Sequence, residues 1–145
     1  MLEYGNITAF CHWYKKYYHV DHSSKIAAYA SFGFDASMMD IYGAIANGAE
    51  LHIIPEEIRL DFIALQRYFE ENGVTHSFMT TQVGRQFAME MSCESLQYLS
   101  IGGEKLVPME PPKDYKFFNA YGPTECTIFT TVLSLFLSGA PSTLF

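Results

Sequence analysis

The chain has 145 residues, 49% of them hydrophobic and 17% charged, a composition that suits one globular domain or a piece of a larger one and excludes a disordered polymer. Its net charge of -7 and its nine Lys and Arg residues, which form no basic run, argue against nucleic acid, because binding there depends on neutralising phosphates. Cys11, Cys93 and Cys126 lack CxxC spacing, so they support neither a disulfide framework nor a thiolate metal site and fit a reducing, cytoplasmic setting.

The first residues carry no basic segment followed by an apolar core, so no secretory signal is expected there. Asn6 can cap a helix in which Phe10, Trp13, Tyr14 and Tyr17 recur at helical spacing, with Lys15 and Lys16 left for water. Residues 25–34 are almost uncharged and predict a buried strand. Met38, Ile41, Tyr42 and Ile45 then make a helical stripe that Asn47-Gly48 ends. A short strand over 51–54 closes at Pro55, and Asp61 opens a helix with Phe62, Leu65 and Phe69 inward and Asn72-Gly73 as its stop. Residues 74–79, 82–91 and 96–101 predict a strand, a helix and a strand that runs into Gly102-Gly103.

Lys116-Phe117-Phe118 and residues 127–133 are β-branched or aromatic, so the turn between them should be held by strands. No charged residue follows Glu125. The apolar run over 128–137 holds Thr130, Thr131 and Ser134 and falls short of the roughly 20 apolar residues a membrane span needs. A buried strand entering an irregular tail is expected instead. An unpaired tail of this uncharged, β-prone kind would be open to strand pairing with another chain.

Alternating strands and helices favour an α/β fold with a largely parallel sheet flanked by helices, in which ligands gather beyond the carboxyl ends of the strands. Asp35, Phe78, Gly102-Gly103 and residues 121–125 all fall at or near such ends, so one cleft can hold them. Asp35 stands at a strand-to-helix junction, where its carboxylate can cap the helix or face the cleft; Ser37 is a second candidate cap. Gly102-Gly103 is either a plain turn or a place where a flat ligand lies against bare backbone. Tyr121 can stack on a purine or pack in the core. In Tyr121-Gly122-Pro123-Thr124-Glu125 the Gly and Pro set the backbone, the Thr124 hydroxyl can donate to a phosphate, and Glu125 is a hard oxygen ligand suited to magnesium; an ordinary turn with an exposed Glu is the alternative. His12, His19 and His22 have spacings that fit no zinc motif.

Three segments in order, Phe34-Asp35-Ala36-Ser37, Ser100-Ile101-Gly102-Gly103-Glu104-Lys105-Leu106 and Asn119-Ala120-Tyr121-Gly122-Pro123-Thr124-Glu125, resemble successive motifs of the amino-acid adenylation domains of nonribosomal peptide synthetases. These belong to the adenylate-forming enzymes. The resemblance covers residues 1–132, with 133–145 a divergent, uncharged tail, and implies part of the N-terminal core of such an enzyme. It implies a reaction in which an amino acid's carboxylate attacks the α-phosphate of ATP, with Mg2+, before transfer to the phosphopantetheine thiol of a peptidyl carrier domain.

Carried over, Asp35 would bind the substrate's α-ammonium group. Gly102, Gly103, Glu104, Asn119, Tyr121, Gly122 and Thr124 would form the ATP surface, with Thr124 and Glu125 in catalytic positions and Glu125 on the metal. The side-chain pocket would be lined by Ala36, Met39, Phe78, Ser100, Gly102, Ala120, Ile128 and Phe129. Its mostly apolar lining points to a branched aliphatic amino acid. The family's phosphate loop, ribose-binding Asp and late catalytic Lys have no counterpart in this chain, so a fragment that is inactive alone is expected. Two other readings stand beside it: a ligase for acids lacking an α-amino group, for which Asp35 would have no use, and a non-catalytic remnant serving as an interaction module.

Overall fold

A computed structural model describes residues 2–135. Helix α1 (Tyr4–Tyr17) is followed by β1 (Lys25–Ala28), α2 (Ala36–Ile45), β2 (Glu50–Ile53), α3 (Phe62–Asn72), β3 (His76–Thr80), α4 (Thr81–Glu90), β4 (Tyr98–Gly102), β5 (Lys116–Tyr121) and β6 (Thr131–Ser134). Single 3-10 turns occupy Glu56–Ile58 and Thr124–Cys126. The six strands form one sheet in the order β2-β1-β3-β4-β5-β6. Every neighbouring pair is parallel except β5 with β6.

The local signals for α3 act as the sequence suggests. The Asp61 carboxylate accepts the Ala64 N–H at 3.0 Å, and Gly73 closes the helix at φ 67, a left-handed conformation that glycine adopts without steric cost. At α1 the expectation for Asn6 is corrected. The helix starts at Tyr4, and the Asn6 side chain reaches back from inside the first turn to accept the Glu3 N–H at 2.8 Å.

Two strands are shorter than periodicity suggests. The run over 25–34 is strand only as far as Ala28, because the N–H groups of Tyr29 and Ala30 turn away from the ladder and donate to the Asp40 carboxylate, each at 3.2 Å. The run over 127–133 becomes strand only at Thr131, because Thr127 and Ile128 hold positive φ values of 62 and 73 that no extended strand allows. Strand β6 is an edge, with Val132 half-buried and Thr131, Leu133 and Ser134 exposed, where a buried strand was expected. Of the expected tail over 133–145, Leu133 and Ser134 belong to β6 and pair with β5, and residues 136–145 lie outside the described residues. Among the described residues, no helix is long and apolar enough to cross a membrane.

Strand alternation divides the core between the two faces of the sheet. Met79, Leu99, Ile101 and Phe117 pack with Leu65 and Phe69 of α3 and Phe87 of α4. Phe78, Tyr98 and Phe118 pack with Phe10 and Tyr14 of α1 and Met39 and Ala44 of α2. Phe117 and Leu99 are almost wholly removed from water, each worth roughly 1.5–3 kcal/mol by area. This burial on both faces holds the strand ends in place.

Candidate functional site

The parallel register brings Thr80, Gly102 and Ala120 side by side at the carboxyl ends of β3, β4 and β5. Around these ends, reaching from Phe78 on the α2 side to Val83 of α4, lies a cavity of about 510 Å³. It gathers Asp35 and Ala36 from the start of α2, Phe78 and Gly102 from the sheet, and Ile128 and Phe129 from the loop before β6. Gly103, Glu104, Ala120 and Gly122 also border it.

The glycines have steric reasons to be there. A Cβ on Gly102 would stand 2.7 Å from the Ala120 carbonyl oxygen and 3.3 Å from the Phe78 ring, so the bare backbone leaves that ring its place in the cavity wall. A Cβ on Gly122 would meet Ile128 O at 2.5 Å and Phe129 Cα at 2.6 Å. The loop therefore folds directly over Gly122, tied by the Thr130 N–H to the Tyr121 carbonyl at 2.8 Å. The positive φ values of Thr127 and Ile128, uncommon for β-branched residues, turn Ile128 and Phe129 into the cavity.

Asp35 occupies the capping position of α2 with helical φ and ψ, yet its side chain caps nothing. Its Oδ2 is shielded from water and has no hydrogen-bond partner, so the helix-cap reading gives way to a carboxylate oxygen left over beside a cavity. Ser37 is not a side-chain cap either, since its hydroxyl donates to the Phe34 carbonyl at 2.8 Å.

Other candidate residues lie elsewhere. Met39 is 1% exposed in the core and does not border the cavity. The Ser100 hydroxyl donates to the Tyr18 hydroxyl at 2.9 Å within the aromatic block, and Ser100 also stands back from the cavity. Asn119 is in register with Ile101, whose side chain packs on the α3 and α4 face. Its Oδ1 is buried without a partner. Tyr121 is 69% exposed at the end of β5, which excludes the core-packing reading and leaves its ring open to solvent. Thr124 and Glu125 are exposed on the 3-10 turn that follows.

Sequence reasoning missed several residues of the site. Glu56, Arg59 and Leu60, from the segment between β2 and α3, border the cavity, and Arg59 pairs with Glu56 at 3.2 Å. Asp40 was also missed. It is 1% exposed, and burial pushes its carboxyl well above the usual carboxylate range, opposed by the two backbone N–H donors and by Arg59. The α2 stripe read from spacing, Met38, Ile41, Tyr42 and Ile45, is largely exposed, and the face that packs on the sheet holds Ser37, Met39, Asp40, Gly43 and Ala44 instead, so periodicity pointed away from Asp40.

The motif resemblance implies a magnesium ion, which needs hard oxygen donors. Among the described residues no group of three His, Cys, Asp or Glu side chains could hold a metal ion alone. One exposed carboxylate, Glu125, beside the Thr124 hydroxyl suits magnesium of the kind that takes one or two protein carboxylates and completes its shell with water and phosphate oxygens.

The family described as AMP-binding enzyme matches residues 1–143. Surfactin synthase subunits 2 and 1 of Bacillus subtilis (strain 168) are each 43% identical over 131 residues, 90% of this chain and 4% of each relative. Bacitracin synthase 1 of Bacillus licheniformis is 36% identical over 131 residues, 90% of this chain and 2% of that protein. The chain thus spans only a small part of the length of the curated relatives it matches. The crystal structure of the Vibrio cholerae adenylation domain AlmE in complex with glycyl-adenosine-5'-phosphate superposes with a TM-score of 0.81 at 23% identity, covering 99% of this chain and 28% of that one. That likeness shows the fold.

Proposed function

Because the chain belongs to the AMP-binding enzyme family and covers part of an adenylation domain of the nonribosomal peptide synthetase kind, we propose that its cavity is the amino-acid pocket of an aminoacyl-adenylate-forming enzyme and that its substrate is a branched aliphatic amino acid. The observation that carries this reading is Asp35, whose Oδ2 is buried without a partner at the wall of an otherwise largely apolar cavity. An ammonium group satisfies that oxygen by a charge-assisted hydrogen bond, and an acid without an amino group does not. Ala36, Phe78, Ala120, Ile128 and Phe129 offer a branched alkyl chain apolar surface and no polar partner. Arg59 and Glu56 offset one another's charge.

In this reading the chain's work is positioning. Asp35 holds the ammonium, which leaves the substrate carboxylate directed along the strand ends toward the ATP α-phosphate, where aminoacyl-AMP forms and pyrophosphate leaves. The bare backbone at Gly102 and Gly103 and the exposed ring of Tyr121 supply a flat surface and a stacking face for adenine. Thr124 donates to a phosphate oxygen, and Glu125 would hold Mg2+, which when bound offsets phosphate charge. Glu104 borders the same mouth of the cavity. Transfer of the aminoacyl group to the phosphopantetheine of a carrier domain completes the proposed reaction. The chain alone is proposed not to turn over, as it corresponds to 28% of the AlmE chain it superposes on.

Calorimetry of the folded chain with L-leucine, L-isoleucine, L-valine, L-lysine and 4-methylpentanoate, which is leucine without its amino group, tests the reading. Binding is expected for one of the branched amino acids, and Asp35→Ala should weaken it at least ~30-fold, as loss of one member of a buried charge pair costs about 2–5 kcal/mol. Equal affinity for 4-methylpentanoate, or no heat with any amino acid, would sink it.

A further inference from the structure

Building on the amino-acid pocket just described, we propose that Asp40 is a positioning residue for it: by clamping the backbone of Tyr29 and Ala30 to α2, it sets the course of the 31–34 segment and the placement of Asp35 at the cavity wall. Asp40 touches no part of the cavity itself. Its Oδ2 accepts the N–H groups of Tyr29 and Ala30, the two residues at which the chain leaves β1. Two donors on one oxygen fix the direction of the departing chain as well as its distance from the helix.

The departing chain is also held by side chains. The Tyr29 hydroxyl donates to the Arg59 carbonyl at 2.6 Å, and the Arg59 guanidinium lies 5.8 Å from the centre of the Tyr29 ring. At the far end the Phe34 N–H donates to the Ser31 carbonyl at 3.0 Å, and Phe34 O accepts both the Ser37 hydroxyl and the Ser37 N–H. The four residues 31–34 therefore bridge two points of the same helix, Asp40 through the clamp and Ala36 through the chain. Such a closed bridge leaves Phe34 and Asp35 little freedom.

A role in stability alone accounts poorly for a carboxylate here. The other oxygen, Oδ1, is buried with no partner, and an uncharged amide in that place would accept the same two N–H groups without burying a carboxyl. The group is expensive for the fold and useful for geometry.

The test uses the chain labelled with 13C at Asp carboxyl carbons, with Asp40→Leu, Asp40→Asn and Ala30→Pro variants. Asp40→Leu leaves the Tyr29 and Ala30 N–H groups without their acceptor and should lower the midpoint of thermal unfolding, while amide exchange over 29–35 speeds by about ten-fold or more relative to exchange in β3 and β4. The Asp35 carboxyl resonance should move in that variant and return in Asp40→Asn, whose amide oxygen still accepts both N–H groups. Ala30→Pro, which deletes one donor and leaves Asp40 intact, should reproduce the local release and decides the matter should Asp40→Leu not fold. An unmoved Asp35 resonance with unchanged exchange over 29–35, or exchange accelerated alike in β3 and β4, would overturn the proposal. These readouts use no ligand, so the clamp can fail while the pocket reading stands. Silence with every amino acid would remove the pocket reading and leave the clamp.

Discussion

The aromatic block beneath α1 and the cavity beyond it meet at Phe78, yet they treat polar atoms in opposite ways. In the block, the Ser100 hydroxyl donates to Tyr18, the His76 Nε2 donates to the Tyr18 carbonyl at 2.9 Å, and the His76 ring stacks on Tyr98 at 4.7 Å. Two residues further along β4, at Gly102, the cavity begins, and across it Asp35 has a carboxylate oxygen without a partner. The cavity also depends on positive φ at the β-branched Thr127 and Ile128, whereas beside the block the positive φ falls on His19, a residue type that adopts it more readily. At the cavity wall an unpaired carboxylate oxygen and positive φ at β-branched residues coincide, whereas the polar side chains of the block are paired within the protein.

That contrast can be broken by substitution. The largest effect is expected for Gly122→Ala, because the new Cβ would meet only backbone atoms, which cannot swing aside. It should cost ~1–3 kcal/mol of stability in urea unfolding and displace Ile128 and Phe129 from the cavity, weakening amino-acid binding. A variant as stable and as competent as the parent would show that the loop does not rely on this close approach. Ser100→Ala should cost about 1 kcal/mol through loss of the bond to Tyr18 and leave amino-acid affinity within two-fold, roughly the scatter of such comparisons. A large loss of affinity at unchanged stability would move Ser100 from the scaffold to the pocket.

The smallest effect concerns His76, whose pKa is lowered chiefly by burial, with its bond to the Tyr18 carbonyl opposing the shift. Its folded pKa lies below the unfolded value, so the unfolded chain takes up the proton first as pH falls. Stability should therefore be highest above about pH 6.5 and decline below it, by at most about 1 kcal/mol over the first unit. Comparing urea midpoints of the parent and His76→Gln at pH 7.5 and 5.5 isolates this residue, and parallel changes in the two proteins would exclude it as the source.

Much of the fold was legible because its signals are local. Helical spacing located α1, α2 and α3, although it chose the exposed face of α2, and Asp61 and Gly73 marked the ends of α3 through bonds that span three or four residues. The run over 25–34 misled for the opposite reason. Its residues are apolar enough for a strand, and only a carboxylate on the next helix draws Tyr29 and Ala30 out of the sheet. At the site, the motifs pointed to Asp35 and Gly102 and the resemblance they carry to Phe78 and Ile128, all of which border one cavity. Met39 and Ser100 were carried over from the same resemblance, but they pack among α1, α2 and the sheet and do not border the cavity.

By itself the sequence determined the alternation of strands and helices, the acidic and glycine positions at the strand ends, and the family to which they belong. Those features follow from periodicity, turn chemistry and motif order, which need no distant partner. Only the tertiary structure decided that Asp35 keeps an unpaired oxygen, that Ser100 is bound to Tyr18 across 82 residues of chain, and that Asp40 holds the segment leading to the cavity. Each of these is settled by what is left to bond with after the chain has packed, and packing joins residues whose separation in sequence carries no local signal.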